Sequence, residues 1–267
     1  MGTPLFVVDA FTDRPFAGNP AAVCVLSGSR EEGWLANVAR EMNLSETAFL
    51  RREGDGWSLR WFTPTVEVDL CGHATLASAH VLWEAGLADP GTPLRFRTRS
   101  GALGATPRAG SIELDFPAEP ASPKPPPAGL LEALGVATAR STGRNRLDYL
   151  VELDSEEAVR ALAPDFAALA RATQPARGVI ATASSSSPDR DFVSRYFAPA
   201  AGIDEDPVTG SAHCCLGPFW AERLGKAELR GYQASARGGK VGVRVGADGR
   251  VALIGQAFTV SRGELLG

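Results

Sequence analysis

Two stretches of this chain carry chemistry-bearing side chains in the same order. Arg60 to Gly86 reads RWFTPTVEVDLCGHATLASAHVLWEAG, and Arg195 to Gly225 reads RYFAPAAGIDEDPVTGSAHCCLGPFWAERLG. In each, Arg, an aromatic residue, Phe, one further residue and Pro precede a short acidic loop, after which a glycine opens an apolar helix. The separation from Arg to glycine is 72 − 60 = 12 residues in the first copy and 210 − 195 = 15 in the second, and Glu84 and Glu222 stand at one offset from their glycines. Chance likeness of two strand-turn-helix units is the plain alternative. A shared order of five features favours an internal duplication. A glycine at such a turn lets backbone approach a ligand, and the first helical N–H groups are unsatisfied and carry the positive end of the helix dipole. Two such helix starts facing each other make an anion cradle, in which a carboxylate would be held and an enolate-like transition state stabilised by the same donors.

Around these two helix starts lie the titratable candidates. Glu46 sits in Leu44 to Leu50, which alternates as a strand and gives the carboxylate Ala48 and Leu50 as same-face neighbours. A carboxylate on an apolar face is either a burial cost or a catalytic device, with edge exposure or backbone capping as the bland option. Asp206 lies in the second acidic loop, four residues before Gly210. Glu46 and Asp206 can flank one substrate as base and acid, a pairing that moves a proton without a cofactor; alternatively Asp206-Pro207 is a plain turn. His73 is a proton shuttle, a carboxylate ligand or simply a polar residue at a helix N-terminus, where the neutral form is favoured. His80 and His213 fall among apolar helical residues and read as core histidines. Asn19, in the turn Phe16 to Pro20, either binds a ligand carboxylate or stabilises the turn.

Cys71, His73, His213, Cys214 and Cys215 invite a zinc reading, but Cys-x-His and His-Cys-Cys are tighter than structural zinc spacing, and no metal is expected. Neither a P-loop nor a dinucleotide glycine fingerprint is present, since Arg237-Gly238-Gly239 falls between late strands. No cofactor is expected.

The elements that must position these residues form two sets. Strands are expected at Leu5–Ala10, Ala22–Leu26, Leu44–Leu50 and, after an Asp55-Gly56 hairpin turn, Trp57–Thr63. A helix is expected from Arg30 to Met42, capped by Ser29 and closed by Asn43, and another from Cys71 to Glu84. Leu94–Arg99, Ala102–Pro107 and Ile112–Phe116 complete the first lobe as short antiparallel strands. Residues 118–129 (AEPASPKPPPAG) are the most Pro-rich stretch and read as a linker. Beyond it come a short helix at Leu130–Leu134, a strand at Tyr149–Leu153, a helix from Ser155 capped by Asp154, strands at Val179–Ala183 and Phe192–Phe197, and the second cradle helix. Last are strands at Val241–Val245, Val251–Leu253 and Ala257–Val260. The reading is an α+β fold with an N-terminal lobe over 1–117 and a C-terminal lobe over 130–254.

A chain of 267 residues with 44% hydrophobic content can build one or two sizeable cores. A net charge of −4 offers no basic footprint for nucleic acid, and no apolar run approaches the roughly 20 residues that span a bilayer. The start Met1-Gly2-Thr3-Pro4 has no signal-peptide character, so a cytoplasmic location is expected, and the four cysteines fit reduced thiols.

With these residues in view, the chain resembles the PhzF-like (phenazine biosynthesis) family of isomerases. The matching pieces are FAGNPAAV from Phe16, Asn43-Leu44-Ser45-Glu46-Thr47-Ala48-Phe49, Cys71-Gly72-His73-Ala74-Thr75, and Glu205 to His213 (EDPVTGSAH), spread over most of the chain. The resemblance implies the diaminopimelate-epimerase-like fold: two pseudo-symmetric lobes, each a mixed, largely antiparallel sheet curled around a central helix, with the active site in the cleft. It implies that the C-terminal strand, 255–267, returns to the first lobe, and that the protein is a homodimer. Glu46 would be the main acid/base residue, His73 and Asp206 would assist proton movement, and Gly72, Gly210 and Ser211 would bind the substrate carboxylate. Related epimerases use two cysteines, one at each cradle; here Cys71 occupies the first position and Thr209, counted with the substrate contacts, the second. The expected activity is cofactor-independent isomerisation of a small carboxylic acid. A cysteine-assisted amino-acid epimerase or racemase and a non-catalytic metabolite-binding protein are the alternatives.

Overall fold

Residues 2–266 are described by a computed structural model, and its strands follow the β-branched and aromatic runs of the sequence. The chain first forms β1 (Thr3–Ala10), β2 (Asn19–Leu26), α1 (Glu32–Met42), β3 (Glu46–Glu53), β4 (Gly56–Phe62), β5 (Glu67–Val68), α2 (Gly72–Glu84), β6 (Leu94–Thr98), β7 (Gly101–Arg108) and β8 (Ser111–Pro117). There follow β9 (Ser122–Pro123), α3 (Leu130–Leu134), β10 (Ser141–Arg144), β11 (Asp148–Glu152), α4 (Glu156–Arg160), α5 (Phe166–Ala172), β12 (Gly178–Ser184) and β13 (Phe192–Phe197). The last elements are α6 (Gly210–Leu224), β14 (Glu228–Gln233), β15 (Gly239–Val245), β16 (Arg250–Gly255) and β17 (Ala257–Leu265). One compact unit comprises Met1–Phe116 with Ala252–Gly267, the other Pro117–Val251. Within the first unit, β17 pairs antiparallel with β1, so the C-terminal strand lies beside the N-terminal one.

The duplication read from the sequence extends to strand pairing. In the first unit β1/β2 is antiparallel, β2/β3 parallel, β3/β4 antiparallel, β4/β6 parallel and β6/β7 antiparallel. The second repeats that series as β10/β11, β11/β12, β12/β13, β13/β14 and β14/β15. A parallel pair needs a crossover, and in both units the second crossover is the cradle helix, α2 or α6. The shared Arg also has one job in both. Arg60 forks onto Glu67 through Nε (2.6 Å) and Nη2 (2.8 Å) above the Phe62 ring, and Arg195 forks onto Glu205 at 2.7 and 2.9 Å above Phe197. Each bidentate pair ties the acidic loop to the strand before it and so aims the helix that follows.

Each central helix is apolar because it is enclosed. Every residue of α2 from His73 to Ala79 is buried, and the helix packs on β1, β2 and β3. Its buried hydroxyls are satisfied along the helix, Thr75 Oγ1 donating to Cys71 O and Ser78 Oγ to Ala74 O. α6 holds Pro218 in its interior, which leaves the Cys214 carbonyl without its usual helical donor. The Glu119 N–H takes that place at 3.1 Å. Facing β15, Gly217 leaves no room for a side chain, since a Cβ there would stand 2.8 Å from Val243 Cγ1.

Several boundaries differ from the sequence reading. α1 starts at Glu32 with Glu31 as an N-cap that makes no side-chain cap bond, so Ser29 lies outside it; Asn43 closes it in the left-handed region. α4 is capped by Ser155, whose side chain accepts from Ala158 N, and not by Asp154. The Pro-rich 118–129 segment is no free linker: Ser122–Pro123 pairs with β10, Ala118 N donates to Gly249 O, and the second unit begins at Pro117. Proline is tolerated because the pairing is two residues long. β10, α5 and β14 have no counterpart in the sequence reading; β14 is Glu228–Gln233, whose Gly231 and alternating charges mask a strand.

Candidate active site

In the first unit four predicted residues converge. Gly18, at φ 65°, makes the turn before β2, where a Cβ would meet Ala10 O at 2.1 Å, so only glycine fits and Asn19 is set at the first position of the strand. The wholly buried Asn19 brings Nδ2 to 3.2 Å from His73 Nδ1. Cys71, the N-cap of α2, places Sγ 3.5 Å from the same nitrogen. On the other side of the ring, His73 Nε2 stands 3.2 Å from Glu46 Oε2, with the Glu46 side chain 13% exposed. Glu46 opens β3, and its neighbours Thr47 to Leu50 are all buried. Gly72 is the first residue of α2, and the N–H groups of Gly72, His73 and Ala74 precede the first intrahelical bond, which Thr75 N makes to Cys71 O.

Burial pushes the His73 imidazole down to about 3, so the ring is neutral. Asn19 Nδ2 can only donate, so Nδ1 is the acceptor and the single ring proton sits on Nε2, facing the Glu46 carboxylate. That approach lacks the alignment of a hydrogen bond, a common state of catalytic contacts before substrate is bound.

In the second unit Asp206, Thr209, Gly210 and Ser211 cluster at the start of α6. Thr209 is the N-cap, the place Cys71 holds in the first unit, and its hydroxyl donates to Asp206 Oδ2. Gly210 and Ser211 occupy the first two helical positions. Ser211 Oγ accepts from Arg177 Nη2 at 2.7 Å. Four residues that sequence reasoning missed, Arg177 among them, hold this helix start. Gln233, wholly buried, accepts from Thr209 N at 2.9 Å and donates to Asp206 O at 2.6 Å. Asp148 and Tyr196 brace Arg177. A polar residue on the inward face of a strand was the available signal for Gln233; it went unread because β14 did. His213 is wholly buried, its Nδ1 donating to Thr209 O at 2.8 Å, while His80 is half-buried and bonded to Thr259, a surface contact and not a core one.

Glu46, Cys71 and His73 bring one possible metal ligand each within 4.8 Å of one another. The donor set fits a relay better than a chelate, because the imidazole turns Nε2 toward Glu46 and Nδ1 toward Cys71, so no single ring nitrogen faces both partners. All four cysteines are free thiols. Burial pushes Cys24 and Cys215 up to about 12 and raises Cys214 as well, which makes these three inert packing groups.

A buried histidine between an amide and a carboxylate, at the glycine start of an enclosed helix, stands on a duplicated α+β frame of the epimerase-like fold class. Comparison with known proteins agrees. The family model described as phenazine biosynthesis-like protein (PhzC-PhzF) matches residues 8–263, and the chain belongs to this family. An uncharacterised isomerase of Halalkalibacterium halodurans is 55% identical over 267 residues, covering 100% of this chain and 99% of its own. A crystal structure of a PhzF-family phenazine biosynthesis protein from Enterococcus faecalis superposes with a TM-score of 0.94 at 43% identity over 100% of both chains. A hydroxyproline epimerase from Agrobacterium vitis, with trans-4-hydroxy-L-proline bound, shares the fold at a TM-score of 0.61 and 12% identity, over 98% of this chain and 92% of that one. The protein is an isomerase of this family. Among the described residues, no helix is long and apolar enough to cross a membrane.

Proposed function

We propose that the protein is a cofactor-independent isomerase that moves a proton on a small carboxylic acid, with Glu46 as the acid/base residue. The observation that supports this most directly is the Asn19–His73–Glu46 series, in which a buried neutral imidazole presents its one proton to the carboxylate. Glu46 as carboxylate takes a proton from the carbon next to the substrate carboxyl group. The electron pair left behind spreads into that group as an enediolate, which unsatisfied helix-start N–H donors such as those of Gly72 and His73 stabilise. Returning the proton to a different carbon, or to the other face of the same one, completes the isomerisation with no net oxidation. His73 and Asp206 assist the proton's movement, and Asn19, Gly72, Thr209, Gly210 and Ser211 serve substrate binding.

The test is deuterium incorporation from heavy water into a panel of small acids, including dihydro-hydroxyanthranilate and amino acids. Glu46→Gln lowers exchange by about 10²- to 10⁴-fold while the melting temperature stays near wild type. Retained exchange in that variant refutes the assignment.

A cysteine-assisted epimerase is the second reading, favoured by the Cys71 thiol standing 3.5 Å from His73 Nδ1. It requires Cys71→Ser to disable turnover. Against it stands Thr209 at the second helix start, with its hydroxyl already given to Asp206. The homodimer and the cytoplasmic location belong to the proposal too and are read by light scattering and cell fractionation.

A further inference from the structure

The two units repeat a fold, and they also repeat a three-residue pattern with the charge reversed. In the first, the residue opening β2 (Asn19), the residue opening β3 (Glu46) and the second residue of α2 (His73) are joined in one contact series. In the second, the residue opening β11 (Asp148), the residue just before β12 (Arg177) and the second residue of α6 (Ser211) are also joined in one series, with Arg177 rather than the helix residue in the middle. Where the first unit sets a carboxylate against its helix start, the second sets a guanidinium.

The hydrogen positions in that network follow from its donors. Tyr196 OH donates to Asp148 Oδ1 at 2.8 Å and accepts from Arg177 Nε at 2.9 Å, while Arg177 Nη2 donates to Asp148 Oδ2 at 3.0 Å and to Ser211 Oγ at 2.7 Å. Ser211 Oγ is therefore filled as an acceptor from that side. Its own hydrogen has no acceptor among the described residues, and neither do the two Nη1 hydrogens of Arg177, a side chain that is 38% exposed. A cation at the positive end of a helix is unfavourable unless an anion lies beside it, and Asp148 does so at 3.0 Å. Asp148, whose side chain is fully buried, is spent on holding the guanidinium's geometry.

We propose that Arg177 is a positioning residue for the substrate carboxylate, acting through Ser211: its Nη2–H fixes the Ser211 hydroxyl as a donor turned away from the guanidinium, toward the ligand. The proposal rests on the carboxylate binding assigned above to Gly210 and Ser211. A structural role alone would be served by the Arg177–Asp148 pair without any bond to Ser211.

The experiment uses the full chain and benzoate as the probe, with binding followed by calorimetry, in wild type, Glu46→Gln, Ser211→Ala, Arg177→Gln and Ser211→Ala/Arg177→Gln. Glu46→Gln still binds saturably, because binding needs no proton transfer. Arg177→Gln and Ser211→Ala each weaken binding by about 10- to 150-fold, the range of one hydrogen bond to a charged group, and the double variant is no weaker than the poorer single one. If Arg177→Gln unfolds because Asp148 is left buried and unpaired, Arg177→Gln/Asp148→Asn removes both charges and is used instead. For any acid that exchanges, KM rises and kcat is held, a split that loss of stability does not produce. Wild-type affinity in the Arg177 variant, or losses that simply multiply in the double variant, overturns the role of Arg177 and leaves the cradle standing. Absence of saturable benzoate binding in both wild type and Glu46→Gln removes the cradle itself.

Discussion

His73→Gln should make the protein less sensitive to acid, and the size of the effect follows from the burial of one ring. The imidazole is 4% exposed, and burial holds it down at about 3, against an ordinary 6.5 in the unfolded chain. The folded state therefore binds fewer protons than the unfolded one between those values. Stability is fully present above pH 6.5 and is lost as pH falls toward 3, below which both states are protonated and the loss stops growing. Each pH unit in that window costs about 1.4 kcal/mol, so by pH 4 His73 accounts for about 3 to 4 kcal/mol. His213 in the second unit, held at about 4 by burial, has the same sign and remains in the variant as an internal comparison. The assay is urea unfolding at pH 7 and pH 4 for both proteins, comparing only the loss between the two pH values, so that any direct cost of the substitution cancels. The variant should lose about 3 kcal/mol less than wild type. Equal losses would show that His73 is not held neutral and would undo the placement of its proton on Nε2.

Gly18→Ala should destabilise by at least about 1 to 3 kcal/mol, since the position has φ 65° and a Cβ would meet Ala10 O at 2.1 Å; activity should fall with it, because Asn19 follows directly, and a crystal structure or activity assay with unchanged geometry and rate counts against the reasoning. Gln233→Ala strands the buried Thr209 N–H and Asp206 C=O, so the midpoint of thermal unfolding should drop by an amount matching about 2 to 4 kcal/mol, read by calorimetry. In native protein at pH 8, Cys24 and Cys215, both pushed up to about 12, are ionised to about one part in 10⁴. Mass spectrometry after brief iodoacetamide treatment should find both unmodified.

Part of the fold was legible because it rests on short-range physics. The apolar run from Ala74 to Leu82 demanded an enclosed helix, the glycines at 72 and 210 marked where such helices begin, and the matched Arg-aromatic-Phe-x-Pro segments announced two copies of one unit. Other boundaries turned on competition between equivalent local signals. Ser29 and Ser155 are equally good caps in isolation, yet only Ser155 caps a helix, because α1 starts three residues beyond Ser29. β14 escaped notice since Gly231 weakens the pattern; in the structure that glycine admits the Phe192 ring, which a Cβ would approach to 2.6 Å.

The sequence by itself determined which residue types are available to the site: Glu46 at a strand start, Cys71 and His73 at one helix start, Asp206, Thr209 and Ser211 at the other. Tertiary structure decided which of them meet within each unit, and through which partners. Asn19 and His73 are 54 residues apart, Arg177 and Ser211 34, Gln233 and Thr209 24, separations at which no local periodicity carries information. Their meeting depends on strand register, where a slip of one residue would turn each side chain to the opposite face. The chemistry of His73 depends on it too, since the ring is neutral because the surrounding core excludes water, and the proton's place on Nε2 is set by an amide that β2 brings to the helix.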